Sequence, residues 1–214
     1  MTSFINRSMT HANVPRLFAA VALAVFATSA SAGLYPPAAP PGSAFVRVFN
    51  GTTQPKIPAQ IGDKNVGDTA AMEASSYVFL PPGSYPAKIG GASQNITLQG
   101  SKCYTAALEN GGAVHLFEQD CFNSQLKSLL SVFNLVDGAN VSLKTADGSQ
   151  AVIENVAANA SGHREVNPVK VNLAVYNGAT KLADAKPVTL ERGKTFSLFV
   201  TGSSSQPVLI WSVN

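Results

Sequence analysis

Short apolar runs alternate with turn-forming dipeptides along most of the chain after residue 43. Asn-Gly and Asp-Gly pairs favour tight hairpins, because both central residues of such a turn need a positive φ. No run after residue 33 sustains a helical period, and the runs are rich in β-branched and aromatic residues, so the pattern predicts an all-β fold. The predicted turn pairs are Asn50-Gly51, Asn110-Gly111, Asp137-Gly138, Asp147-Gly148 and Asn177-Gly178.

Internal similarity indicates a duplicated β unit, although chance likeness among strand and turn sequences is the alternative. We predict two tandem small antiparallel β-sandwich domains, at residues 44–122 and 123–214, preceded by a proline-rich N-terminal arm at residues 33–43. The first set of similar segments is VRVFNG (46–51), LSVFNL (130–135) and LAVYNG (173–178), and the second is VFLPPGSY (78–85) and VTLERGKTF (188–196).

The first predicted strand has two different faces, because successive side chains of a strand point in opposite directions. Val46 and Val48 form an aliphatic face, which is the better core candidate. Phe45, Arg47 and Phe49 share the other face, which is either a second buried layer or a recognition surface. Burial is favoured, because aromatic side chains supply much of the apolar area that a small sandwich buries.

Residues 1–32 have the pattern of a cleaved secretory signal. Arg7 and Arg16 precede the apolar run at 17–30, and Ala30-Ser31-Ala32 matches a cleavage site. A helix over this run would be about 21 Å long, short of the roughly 30 Å that a membrane span needs. We therefore expect an exported chain that begins at Gly33 and has no membrane span.

Loss of this signal changes the charge of the chain. Arg7 and Arg16 leave with it, so 13 of the 15 Lys and Arg residues remain against 12 Asp and Glu residues. A nearly neutral chain argues against nucleic acid or an anionic membrane as the partner.

Cys103 and Cys121 are the only cysteines. In an oxidising compartment we expect a disulfide worth about 3 kcal/mol, and two separate buried thiols are the alternative. His115 lies between the two cysteines, but the spacing matches no standard zinc ligand set.

The sequence contains no recognisable catalytic pattern. His115 lies in an alternating strand sequence, where a structural role is expected, and His163 lies in a polar segment. There is no G-x-S-x-G elbow, calcium loop or phosphate-binding fingerprint, although a triad of His163, Ser203 and an aspartate stays geometrically open. We expect a non-enzymatic protein without cofactor or metal, whose function is binding.

The order of several short motifs resembles the AlgF family of periplasmic alginate O-acetylation proteins. GLYPPAAPPGSAFVRVFN (33–50) is followed by FLPPGSY, LKTADG, REVNPVKV, LERG and FVTGS, whereas residues 52–75 and 91–125 depart from the resemblance. The resemblance implies a non-catalytic adaptor that mediates interactions among periplasmic alginate acetyltransferases and a membrane-bound O-acyltransferase complex. A carbohydrate-binding module that contacts alginate directly is the alternative, and an acetyltransferase or acetyl-esterase is a minor one.

Five residues are candidates for contact with such partners. Leu34 and Tyr35, at the tip of the arm, would suit packing on the first domain or holding a partner. Arg47, Arg164 and Lys170 are the cations that we expect to matter if the partner is an anionic polyuronate.

Overall fold

The computed structural model describes Met1 and residues 38–214, and all regular secondary structure in that part of the chain is β-strand. The predicted all-β class is therefore confirmed. The strands of the first half, residues 44–122, are β1 (Ala44–Gly51), β2 (Lys56–Ile61), β3 (Lys64–Ala70), β4 (Val78–Leu80), β5 (Gly83–Ile89), β6 (Ala92–Leu98), β7 (Lys102–Glu109) and β8 (Val114–Asp120). The strands of the second half, residues 123–214, are β9 (Ser128–Asn134), β10 (Val141–Thr145), β11 (Ala151–Val156), β12 (Ala160–Val166), β13 (Lys170–Val171), β14 (Leu173–Asn177), β15 (Thr180–Asp184), β16 (Val188–Thr189), β17 (Thr195–Gly202) and β18 (Pro207–Val213).

Each half contains two four-stranded sheets with the same strand order. We call the sheet of each half that faces the other half the inner sheet, and the remaining one the outer sheet. The first half has an inner sheet β4-β1-β7-β8 and an outer sheet β3-β2-β5-β6. The second half has an inner sheet β12-β9-β17-β18 and an outer sheet β11-β10-β14-β15, together with a small ribbon of β13 and β16. Among the described residues, no strand of one half pairs with a strand of the other. The predicted fold of two tandem β domains is therefore confirmed.

The expectation of antiparallel sheets misses one strand pair in each half. The central strands of the inner sheets, β1 with β7 and β9 with β17, run parallel. Between these strands the chain forms the outer sheet and one edge strand of the inner sheet, β4 or β12. Such a long crossover allows the second central strand to run in the same direction as the first. All other pairs are antiparallel.

Three apolar layers hold these sheets together. One lies between the sheets of the first half and includes Val46 and Val48, as the aliphatic face of β1 predicts. The second lies between the sheets of the second half, and the third joins the two inner sheets. The inner sheets are thus covered on both faces, and β9 is buried at every position, whereas β2 in an outer sheet alternates between exposed and buried positions.

Of the similar segments found in the sequence, only 46–51 and 130–135 lie on equivalent strands of the two halves. The segments 46–51 and 130–135 lie on β1 and β9, which occupy equivalent places in the two inner sheets. The segment 173–178 lies on β14, in an outer sheet. The second set joins β4 to β5 in one half but β16 to β17 in the other, and these strands are not equivalent. That similarity reflects common strand and turn composition.

Four of the five predicted turn pairs lie at turns, and Asn50-Gly51 does not. Gly51 is the last residue of β1 and pairs with Glu109. The Asn50 side chain is buried and donates hydrogen bonds to the carbonyl oxygens of Gln54 and Thr69, at 3.1 and 3.2 Å. Asn50 therefore links β1 to the outer sheet, because its side chain satisfies backbone groups that burial would otherwise leave unpaired.

Candidate functional site

The contact between the two inner sheets contains a fully buried cation, Arg47. Its Nε donates to Thr105 Oγ1 of the same half at 3.0 Å, and its Nη2 donates to Ser197 Oγ of the other half at 2.7 Å. Its Nη1 has no hydrogen-bond partner in the described part of the chain. Arg47 Cζ also lies 4.9 Å from the centroid of the Tyr77 ring. Burial lowers the pKa of Arg47 below its usual value, and Tyr77 opposes this change.

The prediction that Arg47 lies on a surface and contacts an anionic partner is wrong. Its exposed fraction is 0% because β1 belongs to an inner sheet that is covered on both faces. The alternation of side chains placed Arg47 correctly on the aromatic face, but the sequence did not reveal what covers that face. The structure assigns Arg47 to the contact between the halves.

Four phenylalanines surround this contact. Phe49 and Phe199 stack with ring centroids 3.8 Å apart, and Phe133 stacks on Phe199 at 4.8 Å. Phe117 meets Phe133 edge to face at 5.2 Å. The aromatic face of β1 is therefore a buried layer, as the composition favoured, and it lies between the two halves. Such stacking adds about 0.5–1.5 kcal/mol per pair beyond the burial of apolar area.

Equivalent positions of the two halves meet across this contact. Arg47 on β1 corresponds to Ser131 on β9, and Thr105 on β7 corresponds to Ser197 on β17. Arg47 thus bridges two equivalent hydroxyl groups, one from each half. Ser131 makes a weaker contact in the other direction, donating to Gln119 Oε1 at 3.4 Å. The duplicated strands therefore supply both sides of the contact.

A disulfide joins Cys103 and Cys121 at one end of this contact. The bond closes the end of the β7–β8 pair in the first half. At the equivalent end of the second half, Thr195 and Asn214 exchange backbone hydrogen bonds of 2.9 and 3.0 Å. A cavity of about 310 Å³ lies here between the halves and is lined by Phe45, Tyr77, Cys103, Gln119, Cys121, Phe122, Gly193, Thr195 and Asn214.

Residues 38–214 contain two histidines, His115 and His163. His115 Nε2 lies 3.5 Å from Glu109 Oε2. Burial raises the pKa of Glu109, with His115 opposing the change and Asp137 reinforcing it. Ser203 hydrogen-bonds to Ser205 and to the amide of Gln206, and no hydrogen bond joins Ser203 to His163 in the described part of the chain.

Arg164 lies on β12, at an open edge of the second half. Its Nη1 donates to the carbonyl oxygens of Ala151 and Val152 on β11, at 3.4 and 3.2 Å. We call the adjoining cavity, of about 580 Å³, the β11–β12 groove, and its walls are Lys127, Gln150, Ala151, Val152, Arg164, Glu165, Val166 and Asn167. Lys170 lies on β13 and does not line this groove.

Some of the predicted features lie outside the residues that the structure describes. Leu34, Tyr35 and the predicted cleavage site fall outside the described residues. Within Met1 and residues 38–214, no group of three or more His, Cys, Asp or Glu residues is placed to hold a metal ion. Over the same residues, no helix has the length and apolar character that a membrane crossing requires.

Comparison with known proteins relates the sequence of this chain to one family. The family described as "Alginate O-acetyl transferase AlgF" matches residues 18–197. The chain belongs to the AlgF family. The alginate biosynthesis protein AlgF of Pseudomonas putida is 45% identical over 182 residues, which cover 85% of this chain and 84% of that protein.

Two solved domains of an AlgF protein are also similar to this chain in sequence. The C-terminal domain of AlgF from Pseudomonas aeruginosa is 46% identical and covers 42% of this chain and 99% of its own length, with a TM-score of 0.38. The N-terminal domain of the same protein is 32% identical and covers 38% of this chain and 99% of its own length, with a TM-score of 0.35.

Sequence reasoning missed most partners of Arg47 in this AlgF-family chain. Ser197 is 150 residues away from Arg47, and no local pattern connects them. Asn50 and Asn134 follow a phenylalanine in two similar segments, and this shared position can be read from the sequence. The hydrogen bonds that they form cannot be read from the sequence. Asn134 donates to the carbonyls of Ala139 and Val156, as Asn50 does to those of Gln54 and Thr69.

Proposed function

We propose that this AlgF-family protein is a non-catalytic adaptor of the periplasm that brings acetyltransferase components together during alginate O-acetylation. The observation that carries the proposal is the buried contact between the inner sheets. Arg47, Ser197 and the stacked Phe49 and Phe199 join two β domains into one body. Each half therefore offers its own outer sheet and open strand edges to a separate partner.

A non-catalytic role is supported by the candidate nucleophile Ser203, which hydrogen-bonds within its own turn and not to a histidine in the described part of the chain. The family description nevertheless contains the words "O-acetyl transferase". Incubation of the purified chain with a chromogenic acetyl ester tests catalysis directly. We expect no turnover, and turnover that disappears in His163→Ala or His115→Ala would overturn this part of the proposal.

The adaptor proposal is tested by expression of the full chain in an alginate-producing bacterium. We expect the protein in the periplasmic fraction, beginning at Gly33 by mass spectrometry, and co-purifying with the alginate acetyltransferases and the membrane-bound O-acyltransferase. Phe199→Ala should loosen the contact between the halves and reduce the recovery of assemblies that contain two partners. Absence of any complex over a range of salt concentrations would contradict the proposal.

Direct binding of the polyuronate chain is the second candidate function. Burial of Phe49 and Phe133 removes two aromatic side chains from consideration as a sugar platform. Half-buried Phe79 and Tyr85 still line one surface cavity with Lys64, whose Nζ lies 5.2 Å from the Phe79 ring centroid. Titration with mannuronate oligomers, compared between the native chain and Phe79→Ala, tests this candidate. Binding that depends on Phe79 would favour it.

A further inference from the structure

We propose that the β11–β12 groove is a docking site for an extended acidic segment of a partner protein. This inference rests on the proposed adaptor function and adds the place and the chemistry of one contact. The groove is the cavity defined above, of about 580 Å³, with Lys127 and Arg164 among its walls. Neither cation forms an ion pair with a carboxylate in the described part of the chain, and Glu165 is the acidic residue of the lining.

The charge of the second half favours an acidic partner. Residues 123–214 contain 8 Lys and Arg against 6 Asp and Glu, whereas residues 44–122 contain 5 against 6. An opposite charge on the partner would increase the association rate and help to select the partner. Arg164 and Lys127 are anchored in place, Arg164 by the Val152 carbonyl and Lys127 by Asn167 Oδ1 at 2.6 Å.

The walls of the groove favour a polypeptide over a sugar chain. None of its lining residues is aromatic, so it has no stacking platform for a sugar ring. β11 and β12 are the edge strands of two different sheets, and one side of each pairs with no strand in the described part of the chain, with Arg164 as the side chain that reaches the carbonyls of Ala151 and Val152 on β11. An extended peptide can use such an edge through main-chain hydrogen bonds, with side-chain contacts adding specificity.

Apolar side chains next to the groove indicate that the segment also carries apolar residues. Leu126 is 71% exposed and precedes Lys127, and Val169 is 52% exposed and follows Asn167 by two positions. The Lys127–Asn167 hydrogen bond holds the two loops that carry Leu126 and Val169 together. An acidic segment with alternating apolar side chains fits this combination of cations, strand edges and apolar rim.

Charge reversal within the groove provides the first test, in the co-purification described above. The double variant Lys127→Glu with Arg164→Glu should weaken capture of one acetylation component about tenfold or more. The matched control, Lys88→Glu with Lys186→Glu, reverses two exposed charges outside the groove and should bind as the native chain does. Equal capture by native chain and groove variant overturns the docking site while leaving the adaptor function standing.

The second test does not depend on any partner. The native chain is titrated with a synthetic peptide of four Glu-Val repeats, and backbone amide shifts are followed by NMR. We expect saturable shifts at residues 150–152 and 164–167 that weaken as salt is added. They should be absent in Lys127→Gln with Arg164→Gln, whose melting curve reports retained folding. No shifts at millimolar peptide, or competition for the groove by mannuronate oligomers, would overturn the assignment to an acidic polypeptide.

Discussion

The two halves of the molecule have the same strand order but differ in charge and in how one end is closed. The first half closes the end of its β7–β8 pair with the disulfide Cys103–Cys121. The second half closes the matching end with backbone hydrogen bonds between Thr195 and Asn214. The first half has one acidic residue in excess and the second half two basic residues in excess. The strand order is thus shared, whereas the net charge and the closure of this end differ.

One pair of equivalent positions in the contact between the halves carries very different side chains. Arg47 and Ser131 occupy the same position on β1 and β9, and one is a buried cation while the other is a small hydroxyl. A guanidinium on both sides would place two like charges in one dry layer, which is electrostatically costly. With a small hydroxyl at the equivalent position, Arg47 instead donates to Ser197, and Ser131 donates to Gln119.

Removal of the central aromatic ring is expected to have the largest effect. Phe199→Ala should lower the free energy of unfolding by about 3–5 kcal/mol, because Phe199 stacks on both Phe49 and Phe133. Urea denaturation should then separate into two transitions, one for each half. The control Phe79→Ala removes a half-buried ring outside this contact and should keep one transition. A single transition in Phe199→Ala with little loss would show that the halves do not depend on this stack.

The disulfide should stabilise one half more than the other. Replacing Cys103 and Cys121 together by Ser should cost about 3 kcal/mol, because the bond closes a loop with a sequence separation of 18. Amide hydrogen exchange should accelerate mainly in β7 and β8 and much less in β17 and β18. Equal acceleration in both halves would mean that stability is shared across the contact and would contradict the comparison.

The two buried asparagines should behave alike, because they have the same function in each half. Asn50→Ala and Asn134→Ala each remove two hydrogen bonds to backbone carbonyls, at a cost of about 1–3 kcal/mol per variant. Chemical denaturation of both variants measures this cost. The exposed Asn177→Ala serves as the control and should change stability by less than about 0.5 kcal/mol. Clearly unequal losses would break the equivalence of β1 and β9.

The smallest expected effect concerns the β10–β11 turn of the second half. Hydrogen bonds from Thr145 Oγ1, and from the amide and hydroxyl of Ser149, lower the pKa of Asp147 from 3.8 to about 2. The ionised carboxylate therefore favours the folded state above the unfolded pKa, and this contribution disappears as pH falls through the folded pKa. An NMR titration of the carboxyl carbon checks the value. Thr145→Val should raise the pKa toward 3.8, and an unchanged value would contradict the assignment.

Strand positions in this protein follow from local sequence to a large extent. Alternation on β1 located the aliphatic core face, and the turn pairs located four real turns. The fifth pair, Asn50-Gly51, was misread because an asparagine that bonds buried carbonyls has the same local sequence as a hairpin asparagine. Similarity between β1 and β9 also revealed the duplication, although similar segments on β14 and β16 do not occupy equivalent places.

The candidate contacts were less accessible to sequence reasoning. Arg164 was identified from its charge, but its groove depends on how β11 and β12 diverge at the edges of two sheets. Arg47 was identified for the same reason and lies inside the molecule. An arginine on a mixed aromatic face is compatible with either environment, because alternation fixes the direction of a side chain and not what lies opposite it.

The sequence by itself determined the all-β class, the duplicated unit, the core face of β1 and the AlgF resemblance. Each of these depends on neighbouring residues or on the order of short motifs along the chain. Only the tertiary structure decided that the two inner sheets pack on each other, that Arg47 bridges Thr105 and Ser197, and that β1 runs parallel to β7. These contacts join residues far apart in the chain, and burial depends on which surfaces meet after folding.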